Sequence, residues 1–458
     1  MKRQIGRLGA VAAACAGVAL FGCVSAEAQV TEVKCAAITA SGSSLQNLAQ
    51  TELWTPTWTG SGFEKAIKEQ RCENSVAITY TATSSGKGLG EWGSKEGVLK
   101  LGEAGNGKEE LDGFVGTDVG PEGSATTGQI GRMDEAGKSA TENNSVTAVP
   151  VAQSAIAVIV SLPVGCKVTK KTEKGRIENK PLEEEYNTDA IPFSELIDNV
   201  GIETTGCGAV PMVQARESAS GTTAGFKRYL DDLEPSVYGP FTETAEKAES
   251  TTEWPELSNK HETGNKTGGE LAAKVYNTPG TIGYADIADA RKAGFVGVTP
   301  VEHTNSSKEK YYSIVLTVNN GGIESTGEYV NPEVPSTGEA NCTKAAYPEP
   351  TEVGPNIDWS IARQGNSTTG SAGVYPICTL TFDVAWEHYS YVKGENAAKV
   401  AVSYTEKETN TVYNYLKWVV STEGGQVLAG LKSGHFAPLP AKIKLEDEKG
   451  ITSKNIKF

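Results

Sequence analysis

The feature that most constrains the fold is a unit that recurs along the chain. It consists of a short β-prone run, a turn of Ser, Gly and Thr, and a segment with helical spacing. The runs 36–40, 76–83 and 210–215 each lead into such a turn. Repetition of strand, turn and helix is typical of α/β proteins with parallel strands. The sequence therefore predicts an α/β fold.

Length and charge narrow the possible functions. A chain of 458 residues is too long for one ordinary domain and indicates two or three folding units. The formal net charge of -15 argues against a nucleic-acid partner, because nucleic acids are bound through basic surfaces. A small anion remains possible as a ligand, since distant surface charge is screened by salt.

Residues 1–28 have the pattern of a secretory signal peptide. Basic residues near the start precede an apolar stretch at 9–22 and a small-x-small cleavage site at 26–28. The apolar stretch is too short to span a bilayer stably. A second interpretation stays open, because the tetrapeptide that ends at Cys23 resembles a lipobox and would make the protein a lipoprotein. Both interpretations predict export, to the periplasm or to the cell surface.

Cysteine usage agrees with export. Beyond the signal segment the chain has six cysteines, an even number that favours three disulfides in an exported protein. Cys35 and Cys72 each precede a short apolar run, and if those runs are neighbouring parallel strands, both cysteines lie at the same end of the sheet. We predict sequential pairing throughout. The predicted pairs are Cys35 with Cys72, Cys166 with Cys207, and Cys342 with Cys378.

Two further regions bear on organisation. The segment 146–166 is strongly apolar, but Pro150 and Pro163 interrupt it, so it predicts buried strands and not a membrane span. Segments 93–113 and 319–373 are rich in Gly and charged or polar residues and are predicted to be loop insertions.

Several turns contain the groups that bind a small oxyanion. Such an anion needs main-chain N–H and hydroxyl donors, which helix N-termini after Gly/Ser turns provide. The candidate turns are Ser43-Ser44-Leu45, Ser84-Ser85-Gly86 and Ser220-Gly221-Thr222-Thr223. Arg216 precedes the third turn and offers a planar fork to two oxygens. In open α/β sheets these turns gather at the carboxyl ends of the strands.

Asp118 is an acidic residue among these donors. It follows the short run 114–115 in the segment Gly116-Thr117-Asp118. A carboxylate beside an anion is unfavourable unless the ligand carries a proton that the carboxylate can accept. Hydrogen phosphate carries one near neutral pH and sulfate does not, so Asp118 predicts selection of phosphate over sulfate.

Taken together, these segments resemble the phosphate-binding protein of high-affinity phosphate ABC importers. The most specific is Arg216-Glu-Ser-Ala-Ser-Gly-Thr-Thr223, and the similarity covers most of the chain from about Thr39 to Pro440. The segments that carry it are 39–45, 80–88, 114–118, 216–223 and 278–284, with a weaker match at 435–440.

The resemblance implies a two-lobe periplasmic-binding-protein (Venus flytrap) fold with a hinge. Lobe 1 would comprise residues 35–150 and 285–458, and lobe 2 residues 151–284. The implied protein is a monomer that is not an enzyme and has no cofactor, and it captures inorganic phosphate for an ABC permease. The implied phosphate contacts come from Ser44, the Leu45 amide, Ser85, Asp118, Arg216, Ser220, Gly221 and Thr222.

The sequence departs from the family pattern at two positions. Leu45 stands where the family usually has Phe, which matters little because only the backbone amide is needed. Ser218 stands where the family commonly has an acidic residue that helps to hold the arginine. Arg216 is therefore expected to be less constrained than in the family.

Three alternatives remain open. The first is a binding protein for another oxyanion or for a phosphate ester. The second is an enzyme on the same scaffold, either a phosphatase or a serine acyl enzyme, for which Ser84–Lys87 fits S-x-x-K and Lys266-Thr-Gly268 fits K-T-G. Against the acyl enzyme, Ser84 is not expected to open a firm helix. The third is an adhesion protein that uses the acidic loops. The four histidines show no metal-ligand spacing.

Overall fold

The structure is a computed structural model. It describes residues 31–59, 70–74, 76–100, 113–118, 129–138, 143–169, 174–187, 191–198, 202–203, 206–217, 219–233, 261–323, 327–343, 345, 347, 373–392, 403–429, 435–444 and 456. The predicted signal peptide 1–28, Cys23 and Ser218 lie outside these residues, so both interpretations of the export signal stay predictions. Within the described ranges, no helix has the length and apolar character needed to cross a membrane.

Eighteen strands are described. In chain order they are β1 (Thr31–Val33), β2 (Ile38–Gly42), β3 (Gln70–Cys72), β4 (Ile78–Ala82), β5 (Val115–Thr117), β6 (Val146–Ser161), β7 (Lys167–Val168), β8 (Arg176–Ile177), β9 (Ile197–Asp198), β10 (Ile202–Glu203), β11 (Met212–Arg216), β12 (His261–Asn265), β13 (Thr281–Asp286), β14 (Val301–Thr304), β15 (Lys310–Val315), β16 (Thr317–Asn319), β17 (Tyr329–Val330) and β18 (Cys378–Trp386).

Ten α-helices are described. In chain order they are α1 (Thr55–Thr59), α2 (Ser85–Glu91), α3 (Gln129–Gly137), α4 (Asn179–Asn187), α5 (Phe193–Leu196), α6 (Gly221–Leu233), α7 (Gly268–Asn277), α8 (Ile287–Ala293), α9 (Glu406–Val420) and α10 (Gly425–Ala429). A π-helical turn at Ala49–Trp54 runs directly into α1.

One sheet of ten strands organises the molecule. Its main path has the order β12-β11-β13-β6-β18-β5-β2-β4, and β14 and β15 extend it through β6. The pairs β2–β4, β2–β5, β11–β12 and β11–β13 are parallel. The α/β prediction is confirmed. The sheet is nevertheless mixed, because β6 and β18 are antiparallel to each other and to their other partners.

The apolar segment 146–166 forms a buried strand, as predicted, and most of it is the single 16-residue strand β6. Pro150 lies opposite Phe382, where the register of the β6–β18 pair shifts. Because proline has no N–H to donate to a ladder, this irregularity is where a proline is tolerated in a central strand.

Two hydrophobic cores lie along β6. The first contains Trp54 and Trp418 together with the 146–152 part of β6. The second contains Phe226 and Tyr284 together with the 155–160 part. Two cores are the arrangement that a two-lobe fold requires. Side chains from the 295–347 region also enter the second core, and the lobe boundaries given above stay a prediction.

The three predicted disulfides are confirmed: Cys35–Cys72, Cys166–Cys207 and Cys342–Cys378. The reasoning for the first also holds, since β2 and β4 are parallel neighbours with Ile38 opposite Ile78. The third tethers the described part of the 319–373 insertion to the start of β18.

Candidate functional site

The candidate site lies where four strands of the main sheet end, three in one set of parallel strands and one in the other. Ser43 and Ser44 follow β2, Ser84 follows β4, and Asp118 follows β5. Arg216 is the last residue of β11. β11 runs opposite to β2, β4 and β5, because the antiparallel pairs β13–β6, β6–β18 and β18–β5 separate it from them. The carboxyl ends of the two sets therefore face each other, and the hydrogen bond from Arg216 to Ser44 joins them. Such strand ends are where α/β proteins bind their ligands. The sequence units that predicted the fold therefore also deliver the polar residues to one place.

Asp118 is the centre of the first wall. Its Oδ1 accepts hydrogen bonds from the hydroxyl groups of Thr381 (2.9 Å) and Ser43 (2.5 Å), and its Oδ2 accepts one from Ser85 (3.3 Å). Burial raises the pKa of Asp118 to about 6, while these donors and the charge of Arg216 act in the opposite direction. The side chain is consequently an ionised hydrogen-bond acceptor at neutral pH.

Arg216 belongs to the second wall and reaches across to the first. Only 3% of the residue is exposed. Its Nη1 donates to Ser220 Oγ (3.0 Å) and to Ser44 Oγ (3.2 Å), and its Nη2 donates to the Lys266 carbonyl oxygen (2.6 Å). The guanidinium therefore lies between segments that are distant in the chain, in the position from which it could clamp an anion.

The N-terminus of α6 completes the second wall. Ser220 precedes the helix and accepts a hydrogen bond from the Thr223 amide (3.3 Å). The Thr223 hydroxyl is paired with Tyr284 (2.6 Å). The Thr222 hydroxyl is buried and, among the described residues, has no hydrogen-bond partner. A buried hydroxyl without a partner is unfavourable and indicates a missing ligand or water.

The two walls touch each other. A Cβ added to Gly221 would lie 2.5 Å from the Cβ of Asp118, and one added to Gly86 would lie 2.6 Å from the Cβ of Ala219. These glycines allow a main-chain approach that no other residue type permits. The arrangement corresponds to a closed cleft.

The structure thus brings all eight predicted contact residues into this region, although their role in phosphate binding stays a prediction. One detail differs from the expectation. The Leu45 amide, proposed as a phosphate donor, donates to Ser43 Oγ (3.0 Å). Ser44 Oγ accepts from Arg216 and from the Gly268 amide (3.3 Å).

Sequence reasoning missed several residues of the site. Thr381 holds Asp118, and the turn 266–268 contacts both Ser44 and Arg216. Ser43 also holds Asp118, although it was predicted only as part of a candidate turn and not as a contact. Thr381 gave no signal, because it lies in an apolar strand far along the chain. The turn did give one, since Thr267 and Glu270 form a capping box at the start of α7.

Both halves of the acyl-enzyme motif have structural roles. Lys266-Thr-Gly268 is the entry to α7. Ser84 is the N-cap of α2 and accepts a hydrogen bond from the Lys87 amide (3.2 Å). The expectation that Ser84 does not open a helix was wrong, because three glycines in 86–90 did not prevent a capped helix here. Within the described ranges, no group of three His, Cys, Asp or Glu side chains could hold a metal ion.

Comparison with solved structures identifies the fold. No protein-family model and no curated protein sequence matches the chain. Solved structures do match. PfluDING, a high-affinity periplasmic phosphate-binding protein solved with bound phosphate, is 16% identical, with a TM-score of 0.57 over 89% of this chain and 92% of that one.

Two further structures give the same result. The ancestral soluble variant of the Human Phosphate Binding Protein is 17% identical, with a TM-score of 0.54 over 89% of this chain and 92% of that one. A phosphate-binding protein from Stenotrophomonas maltophilia is 14% identical, with a TM-score of 0.54 over 90% of this chain and 93% of that one. The chain therefore has the two-lobe fold of periplasmic phosphate-binding proteins.

Proposed function

We propose that the protein is an extracytoplasmic solute-binding protein that captures inorganic phosphate and delivers it to an ABC importer. The observation that carries the proposal is the meeting of Arg216, Thr222 and Asp118 in one buried cleft. A cation, hydroxyl and amide donors, and one carboxylate acceptor together match an oxyanion that carries a proton. The solved structures with this fold are themselves described as phosphate-binding proteins.

The closeness of the walls favours a small ligand. Ser44, Asp118, Arg216, Ser220 and Thr222 are all buried. With Gly221 against Asp118, the closed cleft has little space for an organic substituent, which argues against a phosphate ester. An anion that touches both walls stabilises the closed form over the open one, so binding and closure are linked.

Two observations support a location outside the cytoplasm. The signal sequence predicts export, and three disulfides pair the six remaining cysteines. Genes for a permease and an ATPase beside this one would separate transport from adhesion.

Titration calorimetry on protein freed of bound anion tests the ligand. Phosphate should bind with micromolar or better affinity, at about -8 kcal/mol or more favourable, and sulfate should give no heat. Asp118→Asn should reduce the preference for phosphate over sulfate, because it should weaken phosphate binding and allow sulfate to bind. Absence of phosphate binding would refute the proposed function. Equal binding of both anions by the wild type would refute only the role of Asp118.

Arg216→Ala tests whether the guanidinium group binds the anion. Phosphate binding should become undetectable while circular dichroism shows an unchanged fold. Unchanged affinity would remove Arg216 from the site.

A further inference from the structure

Two buried carboxyl groups lie behind Arg216. Asp286 is the N-cap of α8, and its Oδ1 accepts a hydrogen bond from the Asp289 amide (2.9 Å). Both residues are buried, with 0% and 5% of their surface exposed. Neither follows one of the anion-binding turns, and neither is among the predicted phosphate contacts.

Asp289 packs against the same turn that holds the guanidinium. A Cβ on Gly268 would overlap Oδ2 of Asp289, and a Cβ on Gly269 would lie 3.3 Å from Oδ1. The main chain of this turn accepts from Arg216 through the Lys266 carbonyl and donates to Ser44 through the Gly268 amide. The Asp289 carboxylate and the Arg216 guanidinium therefore both contact the turn 266–269.

The two carboxyl groups differ in their electrostatic surroundings. Burial and the neighbouring Asp289 raise the pKa of Asp286 well above its ordinary range. Burial raises the pKa of Asp289 only to about 6, because a hydrogen bond with Asp286 and the positive charge of Arg216 oppose it. The positive charge of Arg216 and the N-terminus of α7 both favour negative charge on Asp289.

A buried arginine needs such a charge. Burial lowers the pKa of Arg216, while the negative charges of Asp289 and Asp118 are among the groups that counteract this effect. Asp118 is already held by Ser43, Ser85 and Thr381. An uncompensated buried cation is strongly unfavourable.

We propose that Asp289, supported by Asp286, is the positioning residue for Arg216. It balances the charge of the guanidinium in the ligand-free cleft and fixes the orientation from which the arginine meets the incoming anion. Only the affinity arm of the following test rests on the proposed function.

The first arm needs no ligand. Ligand-free wild type and Asp289→Asn are treated with phenylglyoxal, and the labelling of each arginine is followed by peptide mass spectrometry. Arg216 should label roughly tenfold faster in the variant, the scale of one lost charge-assisted interaction. Arg291 lies on the same helix and pairs with Glu333, so its labelling should not change.

The second arm measures phosphate affinity by calorimetry. Asp289→Asn should weaken binding by roughly tenfold or more. Asp134→Asn is the matched control, because burial also raises the pKa of Asp134 to about 6 but its partners are Ser145 and the Val146 amide. It should leave both affinity and Arg216 labelling unchanged.

Each outcome has a defined meaning. Unchanged Arg216 labelling, or an equal rise at Arg291, overturns the proposal, since the effect is then absent or a general loosening of α8. Selective labelling without any phosphate binding by the wild type supports the positioning role and refutes the proposed function.

If Asp289→Asn does not fold, Gly269→Ala replaces it, because the added methyl group crowds the Asp289 carboxylate and leaves its charge in place. It should shift Arg216 labelling in the same direction, and an unchanged rate overturns the proposal.

Discussion

Gly221, the first residue of α6, lies directly against Asp118 of the opposite wall, with only 2.5 Å between the Cβ of the aspartate and a Cβ added to the glycine. The contact joins the helix N-terminus, which would donate hydrogen bonds to an anion, and the carboxylate, which would accept a hydrogen bond from the anion's hydroxyl group. Ligand recognition and closure of the cleft therefore depend on the same few ångströms of space.

Gly221→Ala should separate the two walls. The added methyl group meets main-chain atoms of Asp118, which cannot rotate away, and overpacking of this kind costs about 1–3 kcal/mol. We expect calorimetry to show phosphate affinity lower by roughly 10- to 100-fold. Gly90→Ala in α2 is the control, since nothing lies within 4 Å of its Cβ position. Similar affinities for the two variants would contradict the contact.

Thr222→Val should separate binding from stability. Because the Thr222 hydroxyl is buried without a described partner, its removal should leave the unfolding free energy unchanged or raise it. Phosphate affinity should fall by roughly tenfold with the loss of one hydrogen bond to a charged ligand. Thr223→Val should do the reverse, because its hydroxyl pairs with Tyr284. Thr223→Val should lower the unfolding free energy by about 1 kcal/mol and change phosphate affinity little. Chemical denaturation measures the stability of both variants, and calorimetry measures their phosphate affinity.

Asp118→Asn should change how stability depends on pH. A pKa raised from 3.8 to about 6 means that the native state takes up a proton more readily than the unfolded chain. The group's contribution to stability is fully present below about pH 4 and is lost as pH rises through about 6. The ligand-free variant should therefore be more stable than wild type at pH 8, by up to about 3 kcal/mol.

The same difference should vanish as the pH falls toward 4. Urea unfolding at a series of pH values measures it. A constant difference across this range would show that Asp118 is not the titrating group.

Replacement of Cys35 and Cys72 by serine should destabilise the protein without altering the site. Their disulfide has a sequence separation of 37, and the chain-entropy model gives about 3 to 4 kcal/mol for a loop of that length. Urea unfolding should show this loss, and phosphate affinity of the folded fraction should stay the same. A large drop in affinity would mean that the bridge shapes the cleft.

Much of the fold could be predicted because local patterns determine it. The strands β2, β4 and β11 lie within two or three residues of the predicted runs, and the disulfide Cys35–Cys72 followed from their parallel placement. The antiparallel course of β6 could not be predicted, because an apolar run shows burial but not direction.

The candidate site was predictable where motifs are contiguous. Arg216, Ser220 and Asp118 lie in recognisable segments, whereas Asp289 and Thr381 reach the site only through tertiary structure. Ser218 left open how Arg216 is held, and no local pattern pointed to a helix seventy residues later. The turn 266–268 also fits an enzyme motif, because short motifs match by chance, and its capping box was the better guide to its role.

The strand β6 has one more consequence. It contributes side chains to both cores and is paired along its length with β18 and β13, and the 435–440 segment bridges it at Gln153. The two halves of the molecule are therefore connected by a hydrogen-bonded ribbon as well as by loops. Any change in the angle between the two cores has to bend or break this ribbon, so we expect the cleft to open by bending of β6 and β18 and not by rotation about loops alone.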